Sequence, residues 1–306
     1  MKCYHPLLAY KVGDKILFNK PYAFAQGFNL PCGQCIGCRL KYSQEWAVRL
    51  MHENQMHEES CFITLTMDDN YLFTRDNPSS LDRTEFQKFM KRLRQYHGKK
   101  IRYFHCGEYG EKNRRPHYHA ILFGVDFPDK ELHKVREEIK LYKSETLAKL
   151  WPFGFSTIGE VTFQSCAYVA RYVTKKITGE KAKDHYMRWD PSTGEGTPIE
   201  PEYATMSRGN NYPVDDPRHT RGIGYDWFQK YKSDVYPHDY VVLHKHKIRP
   251  PRYYDKLLPE HELEELKKKR QEELPEVIDE YNENMDRLWV EEAVKENRLN
   301  MLIREL

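Results

Sequence analysis

The spacing of apolar and polar residues divides the first half of the chain into predicted strands and helices. Residues 61–67 combine β-branched and aromatic side chains and end at the polar Asp68, which predicts a strand. The segments 101–106 and 117–123 predict two further strands joined by a polar loop, and therefore an antiparallel hairpin. A fourth strand is predicted over 155–161.

Apolar residues at steps of three and four predict the helices that flank these strands. They are expected over 43–57, from Ser80 as a capping residue to about Tyr96, over 163–177, and at a stripe formed by Leu132, Val135, Ile139 and Tyr142. Strands and helices alternate, but the hairpin requires antiparallel pairing. The fold class is therefore predicted as α+β, with a central antiparallel sheet and flanking helices.

The chain of 306 residues is predicted to contain four segments. They are an N-terminal cysteine-rich segment with a helix (1–58), a core (59–178), an irregular extension (179–254) and an acidic helical tail (255–306). Apolar residues recur at helical steps in the tail, at Leu274, Ile278, Tyr281, Met285 and Leu288. This stripe would pack on the body of the chain or on a partner helix, and we favour packing within the chain.

The net charge of +3 conceals a division between the body and the tail. Residues 255–306 hold 16 of the 46 acidic and 9 of the 49 basic residues, which leaves 30 acidic and 40 basic residues in 1–254. The tail therefore carries −7 and the body +10. Such asymmetry favours a polyanion partner for the body, although a solvated basic surface without a partner would show the same division.

Mean hydropathy of −0.85 and the lack of a long apolar run predict a soluble protein with no membrane partner. The N-terminus shows no secretory pattern, so the seven cysteines are expected to be reduced.

A pair of histidines on a predicted strand is the first candidate for metal binding. His117 and His119 are two residues apart, so both side chains leave the same face of the strand. Glu108, at the end of the preceding strand, is the expected third ligand, and Glu111 is the alternative. Imidazole and carboxylate donors suit Mn²⁺ or Mg²⁺. Taken alone, the pair could equally be histidines that make ordinary hydrogen bonds.

Two tyrosines on a predicted helix are the candidate nucleophiles. Tyr168 and Tyr172 are four residues apart and therefore share one helix face, with Lys175 and Lys176 one turn later. A phenol must lose its proton to attack, and a nearby cation favours that loss. An aromatic pair buried in the core would show the same spacing.

Three cysteines with two residues between neighbours form a second candidate metal site. Cys32, Cys35 and Cys38, with Cys3 as a fourth thiolate, suit a structural zinc site. Part of an iron–sulfur ligand set is the alternative.

A basic helix face is the candidate contact with DNA phosphates. No acidic residue occurs from Phe86 to Gly107. The predicted helix in this stretch carries Lys88, Lys91, Arg92 and Arg94.

Three motifs in this order resemble the HUH endonucleases that initiate rolling-circle replication. They are Gly107-Glu108-Tyr109-Gly110, Arg115-Pro116-His117-Tyr118-His119-Ala120 and Tyr168-Val169-Ala170-Arg171-Tyr172-Val173-Thr174-Lys175-Lys176. More narrowly, the chain resembles the replication initiators of microviruses, especially the gokushovirus group. Segments 32–38 and 206–208 extend the resemblance over most of the chain. One departure is Tyr118, where the family usually has a bulky apolar residue.

The resemblance implies a metal-dependent, site-specific nick in one DNA strand. His117, His119 and Glu108 would hold Mg²⁺ or Mn²⁺, and Tyr168 or Tyr172 would form a 5′-phosphotyrosine link and release a 3′-OH. Lys175 would stabilise the phosphate or phenolate charge, and Lys176 would contact DNA. The implied partners are single-stranded and supercoiled phage DNA and the replication machinery of the host, in the cytoplasm of a bacterium.

Two other functions are consistent with parts of the sequence. A phage DNA-binding protein without catalysis would explain the charge division but not the histidine and tyrosine pairs. A relaxase or transposase with the same chemistry is the second alternative, against which the chain length and the two tyrosines argue.

Overall fold

In the computed structural model, the described residues are 2–13, 15–110, 113–136, 139–172, 176–177, 180–190, 192–209, 221–243, 245–273 and 284–301. Their strands are β1 (Leu7–Val12), β2 (Lys15–Leu17), β3 (Gly27–Leu30), β4 (Ser60–Thr66), β5 (Arg102–Tyr109), β6 (Pro116–Phe123), β7 (Glu131–Arg136), β8 (Ile139–Lys143), β9 (Ser156–Gly159), β10 (Met187–Trp189), β11 (Gly196–Pro198), β12 (Tyr203–Met206), β13 (Val241–Leu243) and β14 (His246–Ile248). Their helices are α1 (Ile36–Asn54), α2 (Asp69–Leu72), α3 (Arg83–His97), α4 (Glu145–Leu150), α5 (Phe163–Tyr172), α6 (Lys181–His185), α7 (Tyr225–Val235), α8 (Arg252–Asp255), α9 (Glu260–Glu272) and α10 (Met285–Asn300).

A seven-stranded antiparallel sheet with the order β12-β5-β6-β4-β9-β8-β7 is the centre of the fold. The predicted hairpin is β5–β6, with Glu108 opposite His117 and Cys106 opposite His119. β4 pairs with the other side of β6 and places Thr64 opposite His119. The predicted α+β class, an antiparallel sheet with flanking helices, is confirmed.

The two faces of the sheet are covered by different helices because neighbouring residues of a strand point in opposite directions. Ile63 of β4 and Tyr118 of β6 are fully buried in the same apolar cluster as Phe89 of α3. The Tyr118 hydroxyl accepts the N–H of Asp82 at 3.1 Å and lies 2.5 Å from Glu85 Oε2, at the beginning of α3. The polar tip of this unusual residue therefore lies at a helix N-terminus. The other sheet face carries the two histidines and is covered by α5.

The chain divides into two compact units, and the division falls within α1. One unit comprises residues 1–44 and 255–306, and the other comprises residues 45–254. The four segments predicted from the sequence stay a prediction.

The first unit contains the three-stranded sheet β2-β1-β3 and the helices α9 and α10. Leu288 of α10 is buried against Tyr4 and Cys35. Part of the predicted apolar stripe of the tail therefore packs within the chain. Met285 is exposed, and Leu274, Ile278 and Tyr281 lie outside the described residues.

Residues 132–142 do not form the predicted helix but the hairpin β7–β8, which extends the edge of the main sheet. Leu132 and Val135 are exposed, so the apolar spacing does not mark a buried helix face. Tyr142 instead pairs with Ile158 of β9 and packs against the core. The prediction was wrong because a spacing of three and four residues arose by chance in a two-stranded segment.

Three boundaries also differ from those expected. α1 begins at Ile36 rather than Ser43, inside the cysteine motif. Asp82, not Ser80, caps α3, and its side chain accepts the N–H of Thr84 at 2.8 Å. The segment 179–254 is less irregular than expected, since it supplies β12 to the main sheet and the 11-residue helix α7.

Among the described residues, no helix has both the length and the apolar character needed to cross a membrane.

Candidate active site

The hairpin β5–β6 brings together a carboxylate and two imidazoles on one face of the sheet. Glu108 Oε1 lies 2.8 Å from Nε2 of His117 and 2.8 Å from Nε2 of His119. The three donor atoms all lie within 4.8 Å of one another and could hold a metal ion. The register of the hairpin produces this arrangement because Glu108 is directly opposite His117 and diagonal to His119. The alternative ligand Glu111 lies outside the described residues.

Each imidazole is held from behind through its Nδ1 atom. Nδ1 of His117 lies 3.1 Å from the carbonyl oxygen of Arg115, to which it can donate. Nδ1 of His119 lies 3.0 Å from the hydroxyl oxygen of Thr64 on β4. These contacts direct both Nε2 atoms towards Glu108. Such contacts behind ligating histidines fix the ring orientation and the tautomer of a metal site.

The carboxyl group of Glu108 is almost fully buried and is charged at neutral pH. Burial alone would raise its pKa, but the hydrogen bonds from His117 and His119 outweigh burial and lower the pKa to about 2. A buried negative charge between two imidazoles is an environment that attracts a cation.

One predicted nucleophile lies directly beside these three residues. The hydroxyl oxygen of Tyr168, on α5, is 3.3 Å from Glu108 Oε1 and 3.4 Å from His119 Nε2. Its ring contacts the His119 and Phe62 rings edge to face, with centroid distances of 5.1 Å and 6.3 Å. Tyr168 is 6% exposed, and the guanidinium carbon of Arg171 lies 5.8 Å from its ring centroid.

The remaining predicted residues of the helix are described only in part. Tyr172 is the last residue of α5, four residues after Tyr168. Its side chain lies outside the description, as does the whole of Lys175. Lys176 is exposed and follows the helix.

The predicted phosphate-binding residues lie on α3, which covers the sheet face opposite to the histidines. Lys88, Lys91 and Arg94 are exposed there, whereas Arg92 is half-buried. Arg92 Nε donates to the carbonyl of Leu150 at 2.9 Å, and an Arg94 guanidinium nitrogen donates to the carbonyl of Ile101 at 3.1 Å. The structure therefore gives the two arginines structural contacts and does not bring any of the four beside the histidines.

The four predicted cysteines come together in the other compact unit. Their sulfur atoms all lie within 4.8 Å of one another and could hold a metal ion, at Cys3, Cys32, Cys35 and Cys38. Burial opposes ionisation of Cys35, but backbone N–H groups that donate to its sulfur lower its pKa to about 7.

Sequence reasoning missed Thr64, Phe62 and Arg171 as neighbours of the site. For two of them a signal was present. Phe62 and Thr64 alternate along β4, and a polar residue within an otherwise apolar strand marks the face that carries polar chemistry.

Comparison with known proteins places the chain among phage proteins. Residues 60–177 match the family described as replication-associated protein ORF2. The replication-associated protein VP4 of Bdellovibrio phage phiMH2K is 32% identical over 267 residues, which cover 83% of this chain and 76% of that protein. The replication-associated protein ORF2 of Spiroplasma virus 4 is 31% identical over 305 residues, which cover 89% of this chain and 86% of that protein.

The chain belongs to the family of phage replication-associated proteins. A third relative, the replication-associated protein ORF4 of Chlamydia phage 1, is 31% identical over 241 residues that cover 76% of this chain and 54% of that protein. The part that matches the family begins at the first residue of β4 and extends past α5. It therefore contains Glu108, both histidines and Tyr168. No solved structure matches the chain.

Proposed function

We propose that this replication-associated protein is a rolling-circle replication initiator that nicks one strand of phage DNA with a tyrosine. The observation that carries the proposal is the position of Tyr168, whose hydroxyl oxygen lies 3.3 Å from Glu108 Oε1 and 3.4 Å from His119 Nε2. A nucleophile and three metal-binding donors therefore share one site. The relatives of the chain are replication-associated proteins, which supports the same process.

Two imidazole nitrogens and one carboxylate oxygen fit a divalent cation that keeps open positions for water and phosphate. His117, His119 and Glu108 would hold Mg²⁺ or Mn²⁺, which supplies Lewis acidity and orients the phosphate. Thr64 and the carbonyl of Arg115 hold the imidazole rings in the ligating orientation.

In the proposed step the phenol loses its proton and its oxygen forms a bond to the scissile phosphorus. The bond between phosphorus and the 3′ oxygen breaks, and this oxygen takes up a proton and leaves as a 3′-OH. The resulting 5′-phosphotyrosine link retains the energy of the phosphodiester. Attack by a later 3′-OH reverses the step, releases the tyrosine and circularises the product without ATP.

Further residues complete the proposal. Tyr172 lies four residues after Tyr168 on α5 and would make the second of two alternating cleavages. Lys175 would stabilise the charge of phosphate or phenolate, and Lys176 would contact the DNA backbone.

The proposed partners follow from the same chemistry. The scissile strand must be single-stranded or extruded from supercoiled duplex to enter the site. Host replication machinery would extend the 3′-OH, and the reaction would take place in the cytoplasm of the host bacterium.

We also propose structural Zn²⁺ at the four cysteines, with no part in the nick. Its closed set of four thiolates suits a structural rather than a catalytic metal.

The proposed function is tested by incubating the chain with single-stranded and supercoiled genome of the phage that encodes it. Reactions contain Mn²⁺, Mg²⁺ or EDTA, and a denaturing gel separates free protein from a covalent DNA adduct. We expect a nick and an adduct with either metal and neither product with EDTA. The double variant Tyr168→Phe, Tyr172→Phe should lose the adduct completely because it has no phenolic oxygen at either position.

Tyr96→Phe is the matched control, since Tyr96 is an exposed tyrosine on α3, and it should retain the adduct. An adduct that persists in the double variant would overturn the tyrosine assignment. DNA binding without any metal-dependent cleavage would instead support a binding protein.

A further inference from the structure

The spacing of the four cysteine sulfurs matches one shared metal ion. Cys3 Sγ lies 3.6 Å from Cys32 Sγ and 3.8 Å from Cys35 Sγ. Zinc–sulfur bonds of about 2.3 Å in a tetrahedron separate the sulfurs by about 3.8 Å, whereas a disulfide requires about 2.05 Å. The cluster is therefore arranged as a tetrahedral site and not as two disulfides.

Backbone amides are directed at these sulfurs from two separate segments. The N–H of Tyr4 donates to Cys35 Sγ at 3.3 Å, and the N–H of Cys32 donates to Cys3 Sγ at 3.3 Å. Within the motif, the N–H of Cys35 donates to Cys32 Sγ at 3.2 Å. Donors of this kind stabilise thiolates, the form in which cysteine binds a metal.

A glycine permits the close approach of the two segments. A Cβ atom on Gly37, in the first turn of α1, would lie 2.0 Å from the backbone oxygen of Lys2. Only glycine therefore allows α1 to lie against the N-terminal segment at the point where Cys3 meets Cys35 and Cys38.

The C-terminal helix α10 lies directly on this cluster. Leu288 is 1% exposed and packs with Tyr4 and Cys35, and the remaining three cysteines pack against the same group. Glu292 Oε1 accepts the N–H of Ile36 at 3.3 Å, and Glu292 Oε2 is 2.5 Å from His5 Nε2. A helix of 16 residues is marginal in water unless it packs on something.

We infer that the zinc-loaded cysteine cluster is the docking site of α10, so that loss of the metal releases the C-terminal helix. The ion holds the N-terminal segment against the first turn of α1, and these two segments together form the surface that Leu288 and Glu292 contact. The inference rests on the proposed zinc but not on the proposed nicking reaction.

The first measurement is the metal content of the full-length chain carrying His117→Ala and His119→Ala, so that the cysteine cluster is the metal site that is counted. We expect one zinc per chain after dialysis, measured by mass spectrometry of the elements. Adding Cys35→Ala and Cys38→Ala should remove the zinc. Adding Cys166→Ala, at a buried cysteine outside the cluster, should leave it. Iron in place of zinc, or no metal, would overturn the zinc proposal and with it the docking inference.

The second measurement is amide hydrogen exchange in the same histidine variant before and after zinc is removed with a chelator. We expect exchange in α10 to accelerate about tenfold or more, while exchange in α3 of the other compact unit is unchanged. Zinc that leaves without a change in α10 would refute docking and leave the zinc proposal standing. Equal acceleration in α3 would also refute it, because the loss would then be global.

A third comparison avoids altering any cysteine. Leu288→Ala should retain one zinc per chain and yet accelerate exchange in α10. Val290→Ala, at a 63% exposed position of the same helix, should accelerate it far less. Equal effects of the two substitutions would contradict the docking surface. The DNA adduct assay is separate from all three measurements, so failure of the nicking function would leave their outcome unaffected.

Discussion

Thr64 orients one of the two histidines at the candidate active site. Its hydroxyl oxygen lies 3.0 Å from Nδ1 of His119, on the side of the ring away from Glu108. Thr64→Val keeps the shape of the side chain and removes this partner. We expect Mn²⁺ affinity to fall about 10- to 100-fold, as measured by calorimetry on the full chain, because the ring is no longer held in the ligating orientation.

Thr66→Val is the matched control on the same strand, since the Thr66 hydroxyl donates to the carbonyl of Phe155 at 3.1 Å. The same affinity for Thr64→Val and Thr66→Val would show that Thr64 has no part in orienting the metal ligands.

His52 makes the stability of the chain depend on pH. It is buried between the rings of Trp227 and Tyr254, and burial lowers its pKa to about 3. The unfolded chain takes up this proton below about pH 6.5, while the folded chain does not. Stability is therefore fully present above about pH 6.5 and falls by up to about 1.4 kcal/mol per pH unit as the pH drops towards about 3.

The urea midpoint of unfolding, measured from pH 7 to pH 5, tests this dependence. His52→Gln should be less stable at pH 7, since it loses the ring stacking, but should lose less further stability on acidification. A parallel decline in both proteins would show that His52 does not carry the effect.

At the scale of elements, β6 serves both sides of the main sheet. Its histidines belong to the candidate active site, and the intervening Tyr118 packs against α3. α3 is therefore separated from the histidines by the thickness of the sheet. Its exposed lysines remain proposed DNA contacts, and their position favours flanking DNA over the scissile strand.

The double variant Lys88→Gln, Lys91→Gln tests this placement. We expect weaker binding to duplex DNA and a salt dependence of log affinity that is shallower by about 2, since each phosphate contact contributes about 0.9. Adduct formation on a short single-stranded oligonucleotide should not change. The control is Lys267→Gln, Lys268→Gln, two exposed lysines of α9. Loss of the adduct in the α3 variant would place α3 at the scissile strand instead.

At the scale of the whole molecule, the charge division is a property of DNA binding that can be tested without deleting the tail. Deletion of 255–306 would also remove Leu288 from the cysteine cluster. Exposed acidic residues of α9 can be neutralised instead, by Glu260→Gln, Glu264→Gln, Glu265→Gln and Glu272→Gln. We expect tighter nonspecific DNA binding at low salt and little difference at high salt, because acidic residues repel phosphates over a distance that salt shortens.

A filter-binding titration at several salt concentrations measures this effect. The lysine pair Lys267→Gln, Lys268→Gln is again the control, because it changes the charge of the same helix in the opposite direction. If both α9 variants bind DNA as the unaltered chain does, the tail charge has no influence on binding.

Local patterns were sufficient to predict the central hairpin and the residues that it carries. Alternation along β4 and β6 sets which side chains share a face, and the pairing of β5 with β6 needs only a short connection. The histidine pair, Glu108 and the helix of Tyr168 could therefore be named from the sequence. The same local reasoning failed at 132–142, where helical spacing occurs in the hairpin β7–β8.

Tertiary structure alone decided the contacts between residues that are distant in sequence. It placed the Tyr168 hydroxyl 3.3 Å from Glu108, Thr64 behind His119, and Cys3 beside Cys32. It also placed the basic helix face and the histidines on opposite sides of the sheet. Periodicity specifies the face of one element, whereas the partner of that face depends on how all the elements bury their apolar surface together.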